Sequence, residues 1–203
     1  MADSKYTYYS ELPKSYLDQV LLWEGGYVND PDDSGGETCR GITIGALNTA
    51  KKQGLIAQSV TVRSLMTDLE SVRKIYSQNY YLKAKCDKLP HPLAFAHLDF
   101  AINAGVGGKN KKGKAIGAGA NLQKVLIALG SNIALDGSVG PKTLAALDNI
   151  LTKKTALEIT ELYNNQREKY YRDLVVSKPT YKKYLNGWLN RLNSARKFCA
   201  KNA

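Results

Sequence analysis

The stretch LLWEGGYVNDPDDSGGETCRGIT, residues 21–43, ends an apolar run and sets a carboxylate, Glu24, directly before two glycines. Upstream, Leu17, Val20, Leu21 and Glu24 recur at spacings of three, four and seven. That spacing predicts one helix over 14–24 with Glu24 on its apolar face, stopped by Gly25 and Gly26. An ionised carboxylate is costly on such a face. Burial, the negative end of the helix and the following Asp30, Asp32 and Asp33 would all favour the neutral acid. An acid held neutral in this way can deliver a proton to a leaving group. The plainer readings are a structural ion pair with an arginine, or a frayed helix end pointing to water. The loop that follows favours the chemical reading, because it offers carboxylates held by glycine turns. A glycosidase of the inverting type needs its two carboxyls roughly 6.5–9.5 Å apart, with water between them.

Working outward, the chain has 203 residues and 43% hydrophobic content. It can bury one sizeable core or two small lobes, and it is not a disordered chain. No window approaches the roughly 18 apolar residues of a membrane span. The N-terminus lacks the basic and apolar regions of a secretory signal, so the protein is expected to reside first in the cytosol. Cys39, Cys86 and Cys199 form no C-x-x-C pair, and only His91 and His97 could join them. They are read as reduced, mostly buried thiols, with no metal or organic cofactor expected. The net charge of +11 steers the protein toward polyanions. Nucleic acid and anionic envelope polymers both qualify, and no nucleic-acid reader motif is present to favour the first.

Periodicity is helical throughout, and the predicted class is mainly α. Residues 28–43 read as an irregular loop or short hairpin. Short helical patterns follow at 44–53 and after Thr67, whose Glu70 completes a capping box. A helix ending near Ala104 carries Leu93, Ala96, Phe100 and Ala104 inward. Residues 105–119, GVGGKNKKGKAIGAG, are glycine-rich and basic, and are expected to move and to divide the chain into lobes. Helices follow over Leu122–Leu129, after Pro141, after Thr155 (with Glu158, a second capping box) and after Pro179. The expected domains are a catalytic lobe over 12–104, the basic loop over 105–119, and a helical lobe over 120–200, which could form one compact fold with the first.

The motifs E-G-G-Y, N-D-P, D-x-G-G-x-T and G-I-T, read together from Glu24 to Thr43, resemble the signature of glycoside hydrolase family 108, the phage and bacterial N-acetylmuramidases. HLDFAINAG at 97–105 resembles that family's F-D-x-A-V-N-x-G helix. The second half, with DGSVGPKT at 136–143 and GWLNR at 187–191, resembles the peptidoglycan-binding segment that accompanies it. The resemblance spans about residues 12–198. It implies a lysozyme-like helical fold, cleavage of the β-1,4 bond from N-acetylmuramic acid to N-acetylglucosamine, and Glu24 as the catalytic acid. It also implies a phage endolysin that waits in the host cytoplasm for a holin and then reaches the periplasm and cell wall. Two departures stand out. Cys39 occupies a position where the family carries Asn, and the basic loop is longer than the usual connection.

The remaining candidates carry open alternatives. Asp33 activates the attacking water, or is a turn residue before Ser34-Gly35-Gly36. Tyr27 stacks on a sugar ring, or packs in the core. Thr43 lines the cleft, or caps the next helix. Asp99 and Asn103 share a helical face and contact sugar N-acetyl groups, or brace the catalytic loop. Trp188 and the Tyr170–Tyr171 pair are read as core before carbohydrate platform. The expected partner is peptidoglycan, helped by anionic envelope polymers on the basic surface, with the protein a monomer, no nucleic acid bound and no membrane span. The alternative is a non-catalytic peptidoglycan-binding protein that keeps the fold.

Overall fold

The computed structural model describes residues 5–29 and 36–202. It divides into two compact units, Glu11–Tyr81 and Leu82–Ala203 with Met1–Ser10. By packing, the boundary falls near 81, and the helix ending at Ala104 belongs to the second unit.

In the Glu11–Tyr81 unit, α1 spans Lys14–Leu21 and buries Tyr16, Leu17 and Val20. It stops three residues before Glu24, which lies in the bend after the helix and is half-buried, not on an apolar helical face. Three two-residue strands follow: β1 (Tyr27–Val28), β2 (Thr38–Cys39) and β3 (Ile42–Thr43). They pair antiparallel in that order, Tyr27 opposite Cys39 and Cys39 opposite Ile42. Arg40 and Gly41 make the β2–β3 turn with φ of 49° and 70°. Two consecutive positive φ values are what a tight two-residue hairpin requires. Helix α2 (Ile44–Lys52) is capped by Thr43, whose hydroxyl accepts from the Ala46 amide at 3.2 Å. Helix α3 (Leu69–Tyr76) then widens into a π-type turn over Ser77–Tyr81. Its cap is Asp68, which accepts from the Ser71 amide at 3.0 Å. The expected N-cap at Thr67 is thus replaced by one at Asp68, and the Thr67 hydroxyl instead donates to the Ser64 carbonyl at 3.4 Å.

The second unit is built around α4 (Leu93–Ala104), whose residues Leu93–Ala101 are all buried. A helix apolar on every side belongs in the centre of a bundle, and each buried Leu or Phe there contributes about 1.5–3 kcal/mol. Around it lie α5 (Gly117–Ala128), α6 (Pro141–Leu151), α7 (Ala156–Ser177) and α8 (Lys182–Lys201). The Thr155–Glu158 capping box opens α7 as predicted.

The basic glycine-rich segment is an ordered hairpin, β4 (Gly108–Lys109) with β5 (Ala115–Ile116). Gly108 donates to the Gly137 carbonyl at 2.8 Å. Three backbones meet there: a methyl on Gly107 or Gly119 would lie 2.1 Å from that carbonyl oxygen. The glycines expected to give mobility are therefore used for close approach. The facing turn is organised by Gln123, which is buried. Its amide donates to Asp136 Oδ1 (2.7 Å) and the Ser138 carbonyl (3.0 Å), and its oxygen accepts from the Asp136 and Gly137 amides.

Candidate functional site

Glu24 is positioned by the hairpin beside it. The Arg40 amide donates to the Gly25 carbonyl at 3.0 Å, tying the bend after α1 to the β2–β3 turn. The Arg40 guanidinium donates to the carbonyls of Leu65 (3.1 Å) and Met66 (3.0 Å). The turn is closed from the other side by Tyr76, whose hydroxyl donates to the Arg40 carbonyl at 2.7 Å. Glu24 reaches back over Gly41: a methyl there would lie 2.7 Å from Glu24 Oε2 and 3.2 Å from the Tyr76 hydroxyl. Tyr80 stacks near Tyr76 with ring centroids 5.6 Å apart. Burial first, and the Glu24 charge second, push the Tyr80 hydroxyl above its ordinary pKa. The half-buried Glu24 carboxylate is thus bordered by two tyrosines and a glycine turn, and the bend that carries it is tied to that turn by a backbone hydrogen bond.

Sequence reading missed Arg40, Gly41, Tyr76 and Tyr80. The two-residue gap between Thr38-Cys39 and Ile42-Thr43 was the signal for the turn, and the four-residue spacing of Tyr76 and Tyr80 was the signal for a shared face.

The other predicted residues fare differently. Asp33, like Asp30 and Asp32, lies outside the described residues. Tyr27 is half-buried in β1, with the Arg63 guanidinium 5.1 Å from its ring centre. Thr43 is exposed and spends its hydroxyl on the α2 cap. Cys39 is fully buried, and burial raises its thiol pKa. Its side chain is enclosed by the protein.

Asp99 is a correction. Its side chain is 2% exposed and sits between two guanidiniums, Arg167 at 2.8 Å and Arg191 at 2.9 Å. Burial alone would raise its carboxyl pKa, but Arg167 and Arg191 together hold it below the usual range. A carboxylate so enclosed does not reach a sugar. Asn103, one helical turn on, is half-buried and accepts from the Tyr171 hydroxyl at 2.6 Å. That hydroxyl in turn accepts from Arg167 Nε at 2.8 Å. The pair Asp99–Asn103 therefore braces α4 against α7 and α8. His97 is completely buried beside Tyr163, and burial lowers its pKa to about 4.

All three cysteines are buried and unbridged. Among the described residues no group of three or more His, Cys, Asp or Glu is placed to hold a metal ion, and no helix is long and apolar enough to cross a membrane.

Residues 17–105 match the family model described as Glycosyl hydrolase 108. Residues 118–193 match the model described as Predicted Peptidoglycan domain. No curated protein matches the chain. Among solved structures, that of Brucella abortus SagA is similar at 29% identity and a TM-score of 0.61, covering 92% of each chain. The fold is thus the lysozyme-like helical one. The match over 17–105 includes α4, so the family segment crosses the boundary between the two compact units.

Proposed function

We propose that this chain, whose residues 17–105 match the Glycosyl hydrolase 108 model and whose residues 118–193 match the Predicted Peptidoglycan domain model, is an N-acetylmuramidase acting on the β-1,4 bond between N-acetylmuramic acid and N-acetylglucosamine. The two matched domains support a glycoside hydrolase that degrades peptidoglycan. The muramidase reading is supported by the Glu24 carboxylate held over the Arg40–Gly41 turn. In this reading Glu24 protonates the leaving glycosidic oxygen. Water attacks the anomeric carbon with help from Asp33 or another carboxylate of the 30–37 loop, through an oxocarbenium-like state. Tyr27 remains a candidate for sugar contact, and Thr43 can add one only beyond its capping bond. The biological setting proposed is a phage endolysin, held in the host cytoplasm until a holin releases it to the wall.

The test is end-group analysis of purified peptidoglycan digested by the parent and by Glu24→Gln. The parent is expected to release reducing N-acetylmuramic acid ends, and the variant to fold normally and lose nearly all of that release. Reducing N-acetylglucosamine ends would mean the other bond is cut. Anhydro ends would mean that water is not the nucleophile. An active Glu24→Gln would remove Glu24 as the acid.

A further inference from the structure

Within the second unit, a cleft of about 420 Å³ lies between the β4–β5 hairpin, the start of α5 and the C-terminal half of α7. That volume suits a small ligand. Phe100, Tyr170 and Ile116 give it apolar walls, while Lys114, Lys124 and Asp173 are its charged groups. The Phe100 and Tyr170 rings meet edge to face at 5.4 Å. Asp173 is bridged to Lys169 at 2.7 Å, but both side chains are more than half exposed, so that pairing is weak and exchangeable. Lys124 is half-buried. Burial first, and then the neighbouring charge of Lys114, lower its pKa, with Lys169 acting in the same direction and Asp173 opposing. A cation crowded by other cations and partly dehydrated gains most when an anion arrives.

We propose that this cleft binds the peptide stem of peptidoglycan, with Lys114 and Lys124 taking its carboxylates and Asp173 its free ammonium. The inference rests on the peptidoglycan reading above and adds a recognition element to it. Stem peptides are short and combine several carboxylates, small methyl side chains and a diamino acid. The cleft offers the complement of each: two cations, an apolar wall of Tyr170, Phe100 and Ile116, and one anion. The mixed sign is what separates this occupant from a polyphosphate or other uniform polyanion, which Asp173 would repel. The basic hairpin supplies Lys114 and Ile116, which gives that segment a purpose beyond general charge.

The test is titration of the full chain, by calorimetry and by amide chemical shifts, with three probes. They are a free stem peptide containing a diamino acid, glycan chains stripped of stems by an amidase, and inorganic phosphate. The stem peptide is expected to bind and to shift the amides of residues 114–124 and 170–174. In Lys114→Gln/Lys124→Gln its affinity is expected to fall by about 10-fold or more, the scale of losing a charge-assisted hydrogen bond. Asp173→Asn is expected to weaken a stem with a free ammonium but not one whose ammonium is acetylated. The proposal is overturned if the stem peptide does not bind, if the double variant binds it as the parent does, or if phosphate competes at equal concentration. Stem-free glycan that binds while the stem peptide does not would remove the cleft's role and leave the muramidase reading intact. Failure of the parent to bind or cut any peptidoglycan would sink that reading and this one with it.

Discussion

At Gly41 two constraints fall on one residue. Its φ of 70° is one that an L side chain rarely adopts, and any side chain would press on the Glu24 carboxylate at 2.7 Å. Gly41→Ala is therefore expected to lose activity by at least ~10-fold, on the scale at which small misplacements of a catalytic group matter. Its stability should fall by only about 1–2 kcal/mol, the cost of one left-handed non-glycine residue. Kinetics on peptidoglycan together with a denaturant melt would check both. Activity that falls only in step with stability would show that the turn does not position the acid. Cys39 leads to a different expectation. Replacing a fully buried thiol by Asn places an amide in the core, which costs about 1–3 kcal/mol unless it is hydrogen-bonded. Cys39→Asn should accordingly lower the melting midpoint, and an unchanged midpoint would show that a partner awaits the amide.

Among the elements, the β4–β5 hairpin and α5 depend on glycine for proximity more than for turning. Gly119 has ordinary helical geometry, yet a methyl on it would sit 2.1 Å from the Gly137 carbonyl oxygen. Gly119→Ala should destabilise the protein by about 1–3 kcal/mol or more, through overpacking alone. Gly140→Ala is the control, since nothing lies within 4 Å of its added methyl. Equal melts for the two variants would refute the close-packed junction. Helix α7 depends on its first turn. Thr155 accepts from the Glu158 amide at 3.2 Å, while Glu158 accepts from the Thr155 amide at 2.7 Å. Losing such a cap in Thr155→Ala should cost about 1 kcal/mol, read from the urea midpoint.

Over the whole molecule, two buried titratable groups make stability fall in acid. His97, held neutral by burial with a pKa near 4, gains a proton on unfolding between about pH 4 and 6.5. Its contribution is complete above the upper value and is lost as pH drops toward 4, for a total of roughly 3 kcal/mol. Asp99 acts lower. Its folded pKa is depressed by Arg167 and Arg191, so its contribution is present above the unfolded carboxylate range near 4 and disappears as pH falls through the folded value. Urea midpoints should thus decline between pH 7 and 4 and more steeply below. A midpoint flat from pH 7 to 5 would contradict the burial of His97. The net charge of +11 gives a separate expectation. Added salt should slow attack on intact anionic envelopes far more than on short soluble glycans, because screening acts beyond about 8 Å at 0.15 M.

The helical class and the E-G-G-Y to G-I-T signature were legible in the sequence because they rest on local spacing: apolar residues at three and four, and a motif within 20 positions. The Thr155 cap and the start of α6 at Pro141 were legible for the same reason. Tertiary structure decided the rest. Asp99 and Asn103 share a helical face, as their spacing requires, but only the packing of α7 and α8 against α4 supplies the two arginines and the tyrosine that occupy them. Helix α1 stops at Leu21 although the apolar period runs on to Glu24, because the Arg40 amide holds the backbone of Gly25 at the hairpin turn. The glycines of 105–119 carry no mark in the sequence that distinguishes freedom from close approach. What separates the two is the position of Gly137, eighteen residues beyond Gly119, and a contact at that distance along the chain is set by packing and not by local preference.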